Sequence, residues 1–243
     1  MTDAASVPAA IKTERAAVWE DFIDIFYAPS QVFARRAQGS VWVPLVVLTI
    51  AMTALVYVNS GVLESVMSGE FDRGMAAAIK SNPRITPEMV DSMRRVGLRI
   101  GQFGGLFMPI GVLLTGTLVW LIGKLFEAKQ TYHSAMVVAS YAFIPRIVEG
   151  LLGGLQGLFL DPAQLNGRFR ITLGIGRFFD PDTMSPLLLG LIGRIDVFTI
   201  WVTVLLAIGL SVTGGISRSR AFLAAPLIWA IGALPLVAQA MRS

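Results

Sequence analysis

Five long apolar stretches, separated by polar or charged segments, set the frame of this chain. They run from about Val41 to Val58, Gly105 to Phe126, Ala135 to Phe159, Asp196 to Ile216 and Ala221 to Ala240. Each approaches the roughly 20 residues that an α-helix needs to cross a bilayer. Ahead of them, Trp19, Phe22, Ile23 and Phe26 fall at i, i+3, i+4 and i+7, with Glu20, Asp21 and Asp24 on the other side. That spacing predicts an amphipathic helix that lies in the interface or docks on the spans. Its polar face is acidic, so attraction to anionic lipid is not its basis. Residues 1 to about 16 read as disordered. Ser30 is placed to cap a short helix, Gln31 to Gln38, that Gly39 ends.

Residues 60 to 100 form a polar insert between the first two spans. Ser65 to Lys80 favours helix, Asn82-Pro83 breaks it, and Thr86-Pro87-Glu88 starts a second helix with a capping residue and a proline in the first turn. That second helix, carrying Arg94, Arg95 and Arg99, is expected to run straight into span 2, where Pro109 is placed to kink it. A short helix is expected from Ser185 to Ile195. Pro226 and Pro235 should bend the last span. The division is an N-terminal segment, 1–39, and a five-span membrane domain, 40–243. The fold class is therefore all-α, an integral membrane bundle of five transmembrane helices with an N-terminal amphipathic helix.

Composition agrees. Of 243 residues, 54% are hydrophobic and 15% charged, where soluble domains carry about 25% charged residues. The net charge of +4 does not mark a nucleic-acid binder, because the basic residues are scattered between apolar runs and form no stripe. The partners expected are membrane lipid and other membrane proteins or further copies of this chain. No apolar run precedes the first span, so that span is expected to serve as its own uncleaved insertion signal. Short turns carrying Lys124, Lys129, Arg218 and Arg220 favour a cytoplasmic N-terminus, although the raw count over the long loops runs the other way.

The chemistry is sparse. There is no cysteine and one histidine, His133, which removes thiol catalysis and zinc sites of the Cys/His type. No His-Glu-x-x-His or Gly-x-Ser-x-Gly motif is present, and Gly174-x-Gly176 lacks the third glycine of a dinucleotide fingerprint. No catalytic residue, cofactor or metal site is expected, and the chain is read as a non-enzyme.

What stands out is Pro145-Arg146 and Glu149 in the middle of span 3. A charge at that depth costs about 3 kcal/mol or more on insertion scales, so such groups face a protein interior or an aqueous cavity. The i, i+3 spacing lets the two side chains meet. They form either a structural ion pair, the stronger reading, or a relay or ligand anchor. Pro145 frees a carbonyl that Arg146 is placed to satisfy. Asp196, at the mouth of span 4, is expected in an interfacial pair with Arg194 or Arg146. Thr49, Thr53 and Tyr57 share one face of span 1 and read as a packed polar seam rather than a solute path. Gly150-x-x-x-Gly154 and Gly153-x-x-x-Gly157 are overlapping close-packing motifs.

Several segments together resemble a known family. Phe26-Tyr-Ala-Pro29 is followed by Phe33 and the first span. Tyr141-Ala-Phe-Ile-Pro145 lies in the third span. Asp196-Val-Phe198-Thr-Ile-Trp201, continuing to Gly209-Leu210, opens the fourth, and Ser217-Arg-Ser-Arg220-Ala begins the fifth. This resembles the Yip-domain family in its bacterial branch, over about residues 25 to 240. The resemblance implies a five-span helical membrane domain with a cytosolic N-terminus, in the bacterial cytoplasmic membrane. Eukaryotic relatives act in vesicle traffic and bind Rab-type small GTPases. Nothing here identifies a GTPase-binding surface, and the long insert departs from their compact pattern, so that role is not carried over. The expected role is a protein that organises or assists a partner membrane complex. The alternative is a small transporter or channel component with a polar path at Arg146, Glu149 and Asp196.

Overall fold

Helices make up nearly all the regular structure of the computed structural model, which describes residues 17–161, 164–165 and 167–240. The expected disorder of the first sixteen residues lies outside the described residues. Two short helices, α1 (Asp21–Asp24) and α2 (Pro29–Arg36), precede the first span, α3 (Trp42–Val58). Helix α2 begins at Pro29 with Ala28 at its cap, so Ser30 sits inside the first turn and does not cap it. Proline supplies the N-terminal start by itself, since its missing N–H would be unpaired there anyway.

At Asn59 the chain turns by 82° into α4 (Ser60–Ser81). Helix α5 (Pro87–Gln102) returns alongside it, capped by Thr86, whose hydroxyl accepts from the Met89 N–H at 3.4 Å. Contrary to the expected continuity, α5 stops at Phe103. A 3-10 turn, Gly104–Phe107, intervenes before α6 (Met108–Leu125). Pro109 lies in the first turn of α6 and kinks nothing. It starts the helix, as Pro29 does in α2.

Span 3 is also split. Helix α7 (Tyr132–Ala142) ends in a turn at Phe143-Ile144, and α8 (Pro145–Phe159) begins at the proline. After an irregular stretch that includes the 3-10 turns Arg168–Arg170 and Ile175–Phe178 comes α9 (Pro186–Gly193), capped by Ser185. Helix α10 (Val197–Gly214) follows, and Gly215 takes the left-handed conformation that ends it (φ 64°), as glycine readily does. Helix α11 (Arg218–Ile231) carries Pro226 in its interior, and α12 (Leu234–Ala240) completes the last span.

Among the described residues, four helical runs are long and apolar enough to cross a membrane: 104–125, 132–159, 197–214 and 218–238. A fifth is reached when α3, with 17 residues, is taken together with α4 across their 82° bend. The molecule is an all-α integral membrane bundle. Its core lies where α2, α3, α6, α7, α10 and α11 meet, with Phe33, Leu48, Val119, Tyr141, Leu205 and Leu210 essentially free of solvent. The N-terminal helix docks on this core through Phe22, Ile25 and Phe26 and does not lie free in the interface. Trp19 and Ile23, expected on the same apolar face, are exposed instead.

Candidate functional site

The break at Phe143-Ile144 sets the geometry of the intramembrane charges. Pro145 occupies the first position of α8, so its missing N–H strands no carbonyl that Arg146 must satisfy. Arg146 instead donates to Glu149 Oε2 at 2.5 Å and to Thr199 Oγ1 at 2.9 Å. Both charged side chains retain under a quarter of their exposure. The expected pair therefore forms, and it also bolts α8 to α10. Thr199 passes the link on within its helix, because its carbonyl accepts from the Thr203 hydroxyl at 2.7 Å.

Asp196 is not in the expected ion pair. It is 4% exposed and caps α10, with Oδ1 accepting from the N–H groups of Phe198 (2.9 Å) and Thr199 (3.0 Å). Helix N-termini leave such donors unpaired, and a carboxylate there also meets the positive end of the helix dipole. Gly174 approaches so closely that a Cβ on it would lie 2.7 Å from the Asp196 Cβ. Arg194 turns elsewhere: it donates to the Trp229 carbonyl at 2.7 Å, and its guanidinium lies 5.2 Å from that indole ring. So Arg146 and Glu149 come together, Thr199 joins them to the helix that Asp196 caps, and Arg194 ties that end of α10 to α11.

The glycines face inward on the same chain. Gly150, Gly154 and Gly157 form one ridge of α8 against the α3–α4 bend. A Cβ on Gly154 would lie 2.1 Å from Asn59 Oδ1, one on Gly157 2.3 Å from Val62, and one on Gly150 2.9 Å from Leu55. Gly153 points elsewhere, towards Ile171. Asn59 donates to the Gly150 carbonyl at 3.4 Å. Beside this ridge is a cleft of about 160 Å³ lined by Met52, Leu55, Asn59, Val62, Glu149 and Thr172, among others. Arg146 and Asp196 do not line it.

Of the span 1 seam, Thr53 packs against Gly105, where a Cβ would meet the Thr53 backbone at 2.5 Å, while Tyr57 is exposed. His133 bonds the Gly39 carbonyl at 2.8 Å and so anchors α7 to the end of α2.

Two polar sites were not foreseen. Asp21, expected on the solvent side, is completely buried. Its carboxylate takes Arg35 and Arg36 at 2.6 Å each and the Tyr141 hydroxyl at 3.3 Å. Arg35 also reaches Asp24, whose carboxyl is held below the usual range by hydrogen bonds from Tyr27 and Arg35. Gln130, also buried, donates to the Val119 carbonyl at 3.0 Å and accepts from Thr213 at 3.0 Å, joining α6 to α10. The adjacent arginines, fourteen and fifteen residues after Asp21, were the available signal for the first site. Nothing in the local pattern marked Gln130.

Residues 23–239 match the model of the Yip1 domain. The chain is 23% identical over 209 residues to "Membrane protein YknW" of Bacillus subtilis (strain 168), covering 85% of this chain and 84% of that protein. No solved structure matches it.

Proposed function

This chain belongs to the Yip1-domain family, and from that premise we propose that it is a non-enzymatic membrane protein that organises or assists a partner membrane complex. One observation carries the reading: the charges within the spans are bonded inside the chain. Arg146 holds Glu149 and Thr199, and Asp196 holds two backbone N–H groups. A relay or ligand anchor needs such a group to face its substrate, whereas an internal brace does not. The short basic turns support an N-terminus in the cytoplasm and, for a bacterial protein, residence in the cytoplasmic membrane. A self-association role for the glycines is not part of the proposal, because their ridge is covered by the α3–α4 bend.

A second reading, a small transporter or channel component, is favoured by the apolar cleft that reaches Glu149. Native mass spectrometry after gentle extraction from the source membrane separates the two. A stoichiometric protein partner is the outcome expected for an organising protein. A lone chain holding a defined small molecule would move the reading to transport. Substitution sharpens the choice. Arg146→Leu alone strands a largely buried carboxylate and should cost about 2–3 kcal/mol, while Arg146→Leu with Glu149→Gln should restore most of that. A double variant that folds normally but loses a measured flux would favour transport.

A further inference from the structure

We propose that α5 is an interfacial helix, with an apolar stripe sunk into the acyl chains of one leaflet and two arginines, Arg95 and Arg99, set at the height of anionic lipid headgroups. The polar insert would then be a membrane-embedded hairpin rather than a loop standing in water.

The stripe comprises Met89, Met93, Val96, Ile100 and Phe103. Each is close to half exposed, and α5 has no buried residue. Their spacing, i, i+4, i+7, i+11 and i+14, keeps them on one face of a helix. Helix α4 does not cover that face. Arg94 and Gly101 are turned towards α4, Arg94 pairing with Asp72 and Gly101 approaching Met67 so closely that a Cβ would lie 2.3 Å from its methyl group, while Leu98 and Gln102 line a cleft with Leu63 and Glu64. At 3.6 residues per turn, these positions lie roughly 120–220° round the helix from the stripe, so α4 backs it. Glu88, Ser92, Arg95 and Arg99 fall about 90° to one side of the stripe.

Three observations point to lipid as the occupant. The stripe continues, at the same spacing, into the outward surface of the next span, through Phe107, Ile110, Leu114 and Leu121, all exposed. Those residues lie on the candidate span 104–125, so the apolar surface that begins at the 3-10 turn after α5 is one that lipid covers. Helix α4 is turned 82° from α3, so with α3 crossing the bilayer α4 would lie close to the membrane plane, and α5 packs along it. The charge also fits. Arg94 pairs with Asp72 and lies over the Phe71 ring, whereas Arg95 and Arg99 have no ion-pair partner among the described residues. With the stripe facing down, these two arginines lie beside it at the surface, where a basic amphipathic helix meets phospholipid headgroups.

The chain has no cysteine, so single-cysteine variants of the whole protein report each position directly. M89C, M93C, V96C and I100C would be compared with D91C and S92C in nanodiscs holding one copy and no other protein. A water-soluble maleimide should label the stripe positions at least about tenfold more slowly than D91C, as expected for side chains sunk below the headgroups. A fluorophore on the stripe should be quenched by lipid-borne nitroxides. Equal labelling of both sets would overturn the proposal. So would protection seen in native membranes but not in nanodiscs, which would mean that a partner protein covers the stripe. Cysteine cross-links between copies at M93C in native membranes would assign it to a second copy instead. For the arginines, quenching should be deeper with phosphatidylglycerol than with phosphatidylcholine alone, and R95Q with R99Q should erase that difference. Equal quenching in both lipids would remove the headgroup contact. The four stripe positions are surface residues, so one that fails to fold leaves three that read the same face.

Discussion

Around Asp21, three side chains converge on a carboxylate that no solvent reaches, and the helices that supply them all contribute to the apolar core. In the α4–α5 hairpin, by contrast, Asp72 meets Arg94, Glu70 meets Arg168 and Asp182 meets Arg73, with one partner of each pair about 60% exposed. No residue between 60 and 103 belongs to the main core. The two regions hold similar kinds of charge under different physics. A buried ion cluster is expensive to break, because a partner removed leaves an uncompensated charge. An exposed pair gains little beyond what water would supply. The bundle is thus defined by a few irreplaceable polar contacts, while the hairpin is held by many dispensable ones and by whatever covers its apolar stripe.

The strongest challenge to this contrast is Asp21→Asn. It replaces the carboxylate that both Arg35 and Arg36 hold by a neutral amide, and both guanidiniums are only about a quarter exposed, Arg35 keeping Asp24. The expected loss is about 3 kcal/mol, seen as a large fall in the thermal midpoint in detergent. A shift no larger than that of a surface substitution would mean that the cluster is a surface feature and that the two regions do not differ.

Gly154→Ala probes the seam between the regions, because α8 carries the glycine ridge and α3–α4 the bend. The new Cβ would meet the Asn59 carboxamide at 2.1 Å, so the bend or the side chain must shift. A cost of about 1–2 kcal/mol is expected, as for an overpacked contact. Gly153→Ala, facing Ile171 at 3.8 Å, should cost far less. Equal losses for the two would show that the ridge is not what sets the approach. Where the 160–193 segment meets the hairpin, Asp182→Asn should move stability by less than about 0.5 kcal/mol. A larger effect would mean that the 160–193 segment and α4 brace each other more firmly than their exposure suggests.

Much of this was legible in the sequence, for definite reasons. Hydropathy alone locates the spans, because a bilayer leaves the backbone few alternatives to a helix. The Arg146–Glu149 pair followed from its i, i+3 spacing, and the cap at Thr86 from Thr-Pro. What escaped was decided by partners distant in sequence. Asp21 looked solvent-facing on its own helix, and only Arg35, Arg36 and Tyr141 make its burial tolerable. Asp196 looked like an ion-pair partner because Arg194 is two residues away, yet the unpaired N–H groups of α10 are nearer and fixed in place. The break at Phe143-Ile144 lies in an apolar run whose hydropathy does not change across it, whereas the one at Phe103 falls where the polar α5 gives way to the apolar span 2 and helix-forming residues continue on both sides. There the prolines at 109 and 145 mark helix starts rather than kinks, a distinction that periodicity cannot make.

The smallest effect expected is on the acid side. Asp24 and Glu88 both have carboxyls held below their usual range, the first by hydrogen bonds from Tyr27 and Arg35, the second by Thr86 and its own backbone N–H. A lowered carboxyl contributes stability that is present above its unfolded value, near pH 4, and is lost as pH falls through the folded value. Both groups lie outside the spans, Asp24 half-buried beside Arg35 and Glu88 exposed, and each contribution is small. They sit, however, in different regions. Protonating Asp24 removes one of the carboxylates that hold Arg35, and so touches the cluster that docks the N-terminal helix. Protonating Glu88 affects only the first turn of α5. Asp24→Asn should therefore flatten the fall in thermal midpoint between about pH 4 and pH 3 more than Glu88→Gln does. If Glu88→Gln proved the more effective, the hairpin would be the part whose loss limits the fold, and the ranking of the two regions would reverse.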